Sequence, residues 1–254
     1  MKVFSVVGYT KSGKTTTIEK LIAELKKRGY SVGSVKDIHF EGFEIDTEGT
    51  NTFRHRAAGS SLVTARGPYD TGIMFQEQLD IYKIASFYDT DFLIIEGIRD
   101  ANVPMVLTAD CIDDLDKRFD ERVFLVSGKI ADEIDEYRNV PAISALKDIE
   151  KLADLVEEKT FELLPDFDPK CCSACGHTCR EMCALILKGE MKREHCIIGT
   201  NDVSLKINGK DIMMVPFVKK LLKNMITGFA SELDGYENDG TIEIKINGDK
   251  TWLP

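Results

Sequence analysis

No apolar run in this chain approaches the roughly 20 residues that a membrane-spanning helix needs. Basic residues are also in deficit: 33 Lys and Arg stand against 43 Asp and Glu, a formal net charge of −10. That balance argues against a protein that grips nucleic-acid phosphates, because such binding requires clustered Lys and Arg. A secretory leader is missing as well, since the apolar stretch Val3–Val7 is too short and runs straight into a glycine loop. No internal repeat or low-complexity segment is visible. These absences predict a cytoplasmic protein with neither a membrane nor a nucleic acid as its partner. The cysteines are not spread in the manner of a disulfide scaffold. Cys171, Cys172, Cys175, Cys179, Cys183 and Cys196 lie close together and only Cys111 lies apart. In a reducing compartment such a cluster points to metal or redox chemistry.

What is present begins with size. A length of 254 residues suits two domains, and 43% apolar residues suffice for a real core. Val3–Val7 reads as a buried strand, followed by a helix from near Lys14 with Ile18, Leu21, Ile22 and Leu25 at helical spacing. Arg28-Gly29 closes that helix. Further strands are expected at Ser31–Lys36, Ser61–Ala65, Asp91–Gly97, Met105–Thr108, Arg122–Val126 and Val140–Ile143. Helices are expected at Phe75–Phe87 and Asp148–Lys159, and residues 37–60 read as a functional loop leading into a short helix. Apolar strands alternating with amphipathic helices imply a parallel sheet covered on both faces.

Two prolines in Leu164–Pro169 mark a linker. Beyond the cysteine segment, Val203–Ile207 and Asp211–Val215 read as a hairpin, Pro216 opens a helix to about Leu233, and Thr241–Ile246 alternates as a last strand. The expected fold class is therefore α/β: a P-loop NTPase with a mainly parallel sheet and helices on both faces, plus a small cysteine-rich metal module and a small α+β tail. The boundaries read as 1–163, 164–199 and 200–254.

Gly8-Tyr9-Thr10-Lys11-Ser12-Gly13-Lys14-Thr15 fits G-x-x-x-x-G-K-[ST], after a strand and opening a helix. The glycines let successive backbone N–H groups face a phosphate. Lys14 brings a cation to the β- and γ-phosphates, Thr15 offers a hydroxyl to magnesium, and the helix dipole favours the same anion. Glu96, at the carboxyl end of its strand, is the expected second magnesium group, directly or through water. No Asn-Lys-x-Asp tetrad is present, and Ser144–Asp148 lies where base contacts could form; the residues alone leave GTP and ATP both open.

Several ordered stretches, covering roughly residues 2–160, resemble the molybdopterin-guanine dinucleotide biosynthesis adaptor proteins, the MobB family. They are Val7-Gly8-Tyr9 with its loop, Leu25–Tyr30, Val32–Lys36, Phe43–Asp46, Gly49–His55, Ala58-Gly59, Leu93–Gly97 and Asn139–Pro141. The resemblance implies a dimeric GTP-binding protein of low intrinsic hydrolysis. Its implied partners are the enzyme that attaches GMP to molybdopterin and, further on, molybdopterin-dependent apoenzymes. By the same resemblance Gly8–Thr16 hold the phosphates, and Lys36, Asp46, Arg54 and Glu96 line the nucleotide and metal site, with Lys14, Glu96 and Asp46 serving any hydrolysis. The chain departs from the family where Asp37-Ile38-His39 replaces a basic, histidine-rich stretch and Asn51-Thr52 stands for an Asp-Thr pair.

Cys172, Cys175, Cys179 and Cys196 give C-x2-C-x3-C-x16-C, four thiolates that suit a cubane iron–sulfur cluster or tetrahedral zinc. The segment resembles the small four-cysteine iron–sulfur domain of several anaerobic redox proteins, although three residues rather than four separate Cys175 and Cys179. That resemblance favours [4Fe–4S], with zinc as the alternative. Cys183 is expected to pack in the core. In the tail, Phe217, Val218, Leu221, Leu222, Met225, Ile226 and Phe229 form a stripe expected to face a core. So small a unit buries little by itself and is expected to pack on a neighbour or a second copy. The leading function is a GTP-binding accessory protein of molybdenum or tungsten cofactor assembly. The alternatives are a nucleotide-driven metallochaperone and an ATP-dependent small-molecule kinase.

Overall fold

The computed structural model describes residues 1–166, 175–196, 203–207, 210–212, 214, 216–237 and 241–246. The chain divides into two compact units, Met1–Cys196 and Ile197–Pro254.

The first unit is an α/β fold around one sheet. Its strands β1 (Lys2–Gly8), β2 (Val32–Lys36), β5 (Phe92–Glu96), β6 (Met105–Thr108) and β7 (Val123–Ser127) run parallel in the order β2-β5-β1-β6-β7. A short β10 (Phe161–Glu162) pairs antiparallel with Lys2 and Val3 of β1. Every residue of β5, β6 and β7 is buried, so both sheet faces are covered, as unbroken apolar strands require. Along β1 the faces alternate. Phe4 and Val6 join Leu21 and Leu25 of α1 (Lys14–Lys27) and Leu152 and Val156 of α5 (Ile149–Lys159). Val3 faces the layer formed by Ile81 and Ala85, whereas Val7 packs with Leu107 and Leu115. Arg28, just after α1, bonds Glu24 at 3.0 Å, Asp154 at 2.7 Å and Glu157 at 2.6 Å, tying α1 to α5.

The expected strand Ser61–Ala65 is β3 (Leu62–Arg66), but it stays outside the main sheet. It pairs with β4 (Thr71–Phe75) across a turn closed by Gly67 N donating to Asp70 O at 2.8 Å. The expected helix Phe75–Phe87 is accordingly corrected. Phe75 ends β4 opposite Leu62, and the helix α3 spans only Ile81–Ala85, capped by Asp80. Only Ile81 and Ala85 of that helix are buried, so there was no long apolar face to extend it. Between β6 and β7 the structure adds α4 (Ile112–Arg118), which buries Leu115 alone; one anchor is too little to register as a period. Val140–Ile143 contributes only β9 (Val140–Pro141), paired with β8 (Glu136–Tyr137), and Ala142 bridges Val126.

Within the cysteine segment, α6 (Cys179–Leu187) starts at a capping box. Glu181 N donates to Thr178 Oγ1 at 3.2 Å and Thr178 N donates to Glu181 Oε2 at 2.8 Å. Met182, Cys183 and Ala184 are buried. The fully buried Arg122 donates to Asp120 at 2.8 Å and to the Arg99 carbonyl at 2.7 Å, and Asp120 also pairs with Arg180 of α6. Burial opposes the Asp120 charge, but the Arg122 hydrogen bonds outweigh it and hold the carboxyl below its usual range.

In the second unit, β11 (Lys206–Ile207) and β12 (Lys210–Asp211) form the expected hairpin in shortened form, and its turn residues fall outside the described residues. Helix α7 spans Pro216–Ala230. Two expectations are corrected. Thr241–Ile246 carries no strand pairing, and in the α7 stripe Phe217, Val218, Leu221, Met225 and Phe229 are solvent-exposed rather than core-facing, with Leu222 and Ile226 half-buried.

Candidate functional site

The phosphate loop leaves β1 at Gly8 and enters α1 at Gly13, whose positive φ of 100° caps the helix without a side chain. No acidic residue occupies the first turn of α1, so its free N–H groups remain available to an anion. A Cβ at Gly8 would lie 2.3 Å from the Thr108 carbonyl oxygen, and one at Gly128 would lie 2.2 Å from the Ser12 carbonyl oxygen. Both positions therefore admit only glycine while the loop keeps this shape. Ser12 is buried and its hydroxyl pairs with the Thr108 hydroxyl at 2.7 Å. Thr10, Lys11 and Thr16 are exposed at the mouth of the loop.

Lys14 donates to the carbonyls of Tyr9 at 2.7 Å and Gly8 at 3.1 Å, bridging its own loop. Burial pushes its ammonium below the usual lysine range, and Glu96 opposes that shift. Register places Glu96 beside Val6 on one side and Lys36 on the other. Its carboxylate accepts from Lys36 at 2.9 Å and from the Thr15 hydroxyl at 3.5 Å while the residue is 9% exposed. Lys14, Thr15, Lys36 and Glu96 thus converge at the carboxyl ends of neighbouring parallel strands, where α/β sheets bind ligands. A hydroxyl and a carboxylate together are the hard oxygen donors that magnesium prefers, so Thr15 and Glu96 fit that ion.

The loop-borne candidates are arranged differently. Asp46 Oδ1 accepts from Thr47 N at 2.9 Å, Thr50 Oγ1 at 2.8 Å and Thr52 Oγ1 at 2.9 Å, ahead of α2 (Asn51–Ala57). Desolvation raises its pKa, but the bonds from Thr50 and Thr52 prevail and the carboxyl is held below its usual range. Arg54 is exposed on α2, which buries no residue. His39 pairs with Asp37 at 3.3 Å, next to Lys36. A cleft of about 570 Å³ adjoins Lys36 and Asp37 and runs past Tyr82 to Asp166.

Three residues of the loop's surroundings escape sequence reading. Thr108 ends β6 and Gly128 follows β7, strands that the apolar pattern does reveal, so strand ends were the available signal. Arg118 had none, because α4 is too short; its guanidinium lies 3.9 Å from the centre of the Tyr9 ring and lowers the Lys14 pKa further.

Of the four proposed metal thiols, Cys172 lies outside the described residues. Cys175, ahead of α6, and Cys179, its first residue, are partly exposed, and Cys196 is buried. Among the described residues, no three His, Cys, Asp or Glu side chains are gathered to hold a metal ion. Cys183 is fully buried, and burial pushes its thiol up to about 12, the behaviour of a core residue. His195 accepts from Lys192 N at 3.1 Å.

Residues 3–110 match the sequence model of the MobB family, described as molybdopterin guanine dinucleotide synthesis protein B. A Methanocaldococcus jannaschii protein, provisionally described as a molybdopterin-guanine dinucleotide biosynthesis adapter protein, is 28% identical over 98% of this chain and 99% of its own length. The adapter protein of that description from Haemophilus influenzae is 33% identical over 41% of this chain and 61% of its own length. The crystal structure of Bacillus subtilis MobB superposes with a TM-score of 0.53 at 26% identity, covering 63% of this chain and 99% of that one. The chain is thus similar to MobB proteins in both sequence and fold.

Proposed function

We propose that this chain is a MobB-like adapter in molybdopterin guanine dinucleotide biosynthesis, whose phosphate loop binds GTP with magnesium. The observation that carries the reading is the convergence of Lys14, Thr15, Lys36 and Glu96 around the free N-terminus of α1. Gly8–Thr16 cradle the triphosphate. Thr15 and Glu96 hold magnesium, which neutralises phosphate charge when bound. Lys36 keeps a further cation beside the loop, and Asp46 and Arg54 approach from the loop side. Hydrolysis is weak because Glu96 is engaged by Lys36 and Thr15, and Asp46 by its own threonines, so neither is free to activate water. The partner is the enzyme that attaches GMP to molybdopterin, followed by molybdopterin-dependent apoenzymes, and the chain works as a homodimer in the cytoplasm.

The finer element of the proposal is a metal in the cysteine segment, [4Fe–4S] in preference to zinc, held by Cys172, Cys175, Cys179 and Cys196. It rests on their spacing, and no step of nucleotide binding is routed through it.

Calorimetry with magnesium tests the nucleotide: GTP should bind more tightly than ATP, and preference for ATP overturns the reading. Addition of the chain to the purified guanylyltransferase should raise its yield of guanine dinucleotide product; no effect at any ratio removes the adapter role. Anaerobic purification with iron analysis tests the module, and stoichiometric zinc without iron rules out the cluster.

A further inference from the structure

The sheet order leaves one end of the nucleotide without a seat. Lys36 and Glu96 end β2 and β5, on one side of β1 and its phosphate loop. On the other side, beyond β6, β7 ends against the same loop: a Cβ at Gly13 would lie 3.1 Å from Gly128 Cα. Two strand spacings, about 10 Å, separate β1 from β7. A base at the end of β7 and phosphates at β1 are therefore a ribose apart.

Two loops meet at that end. Gly128 opens a single helical turn, Lys129–Asp132, fixed by the buried Ile130, whose N–H donates to the Ala109 carbonyl at 3.1 Å. Residues 142–144 run beside β7, where Ile143 N donates to Val126 O at 2.9 Å and Ser127 Oγ donates to Ile143 O at 2.8 Å. The Ser144 carbonyl then accepts from Lys147 N at 3.2 Å and from Asp148 N at 2.9 Å, the bonds of a helix start. Within that turn the N–H groups of Ala145 and Leu146 find no acceptor among the described residues. Asp132 meets the turn through Lys147, whose Nζ lies 2.9 Å from its Oδ1. Lys147, and after it the Ser144 hydroxyl, holds the Asp132 carboxyl below its usual range.

A surface ion pair by itself contributes little. Here, however, an ionised acceptor whose side chain is 41% exposed stands beside two free donors. Guanine presents the complementary set: O6 accepts, while N1–H and the N2 amino group donate. A carboxylate has about four lone-pair sites, so Lys147 leaves room for both guanine donors. Adenine reverses the pattern, with a donor at C6 and an acceptor at N1. It would set donor against donor and turn a lone pair toward the carboxylate.

We propose that Asp132 and the backbone of Ala145 and Leu146 form the base subsite and select guanine: the carboxylate accepts from N1–H and the N2 amino group, and the free N–H groups donate to O6. The subsite rests on the nucleoside-triphosphate reading of the phosphate loop and narrows it to a guanine nucleotide.

Calorimetry on the full chain with magnesium compares GTP with inosine triphosphate and xanthosine triphosphate. Inosine lacks the N2 amino group, so the native chain should bind its triphosphate at least about tenfold more weakly than GTP. Equal affinities overturn the proposal without any variant. Xanthine carries a carbonyl where guanine has that amino group, and Asp132→Asn sets an amide donor opposite it. The variant should bind xanthosine triphosphate at least about tenfold more tightly than the native chain does, and GTP at least about tenfold more weakly. A loss for GTP with no gain for xanthosine triphosphate marks a structural effect and overturns the subsite, as does an unchanged ratio of the two affinities. In those cases a native preference for GTP over ATP leaves the GTP reading standing. A native chain that binds neither GTP nor ATP, or prefers ATP, removes both.

Discussion

Helices α1 and α7 look alike in the sequence and behave differently in the structure. Each spaces large apolar residues at three- and four-residue intervals between lysines. In α1, Leu21 and Leu25 are fully buried and Ile18 nearly so, because the sheet lies beneath them. In α7, Phe217, Leu221, Met225 and Phe229 stay exposed. The comparison teaches that periodicity identifies a face to be covered but not its cover. A parallel sheet supplies a cover from the same unit. A unit of hairpin and helix has too little surface to do so.

The largest expected effect lies on the covered side. Leu21→Ala should cost about 2–5 kcal/mol by removing a packed side chain, whereas Leu221→Ala should change the chain's unfolding free energy by less than about 0.5 kcal/mol. Urea titration at low protein concentration reads both, and similar costs would erase the contrast between the helices. Next comes the ligand end of α1. Lys14→Ala should weaken GTP binding about 100-fold, near 2.8 kcal/mol; unchanged affinity by calorimetry refutes the phosphate-loop assignment.

Helix α6 offers a third case, covered like α1 but through a thiol. Burial raises Cys183 to about 12 from 9.0. A folded pKa above the unfolded one leaves stability whole below pH 9.0 and erodes it as pH rises toward 12. The slope is about 1.4 kcal/mol per pH unit. Urea midpoints measured at about pH 8 and about pH 10.5 should fall more for the native chain than for Cys183→Ala; parallel declines would show that this thiol contributes nothing to the pH dependence. The smallest effect belongs to Lys27, which stays exposed while it pairs with the buried Glu24 and the exposed Glu150. Lys27→Ala should leave the urea midpoint almost unchanged, because solvent screens such pairs.

The site was legible where strands carry it. β1 and β5 announce themselves as apolar runs, and their ends name Gly8 and Glu96. Lys36 ends the expected strand Ser31–Lys36, but its place in the site was legible only through family resemblance. Arg118 was not legible, since its helix buries only Leu115. A single helix over Phe75–Phe87 does not form, because a hairpin strand ends at Phe75 and the polar stretch Gln76-Glu77-Gln78 separates it from the short helix Ile81–Ala85. Asp46 and Arg54 were legible only through family resemblance, and they sit where the chain satisfies its own hydrogen bonds.

By itself the sequence determined the phosphate loop, because G-x-x-x-x-G-K-T between a strand and a helix is a local chemical requirement. It also determined the parallel class of the sheet through unbroken apolar strands. Only the tertiary structure decided that Glu96 stands between Thr15 and Lys36, that Gly128 must yield room to Ser12, and that the α7 stripe faces solvent. Those outcomes depend on which strands become neighbours and on how much surface each unit can offer, and neither quantity is written in any single segment of the chain.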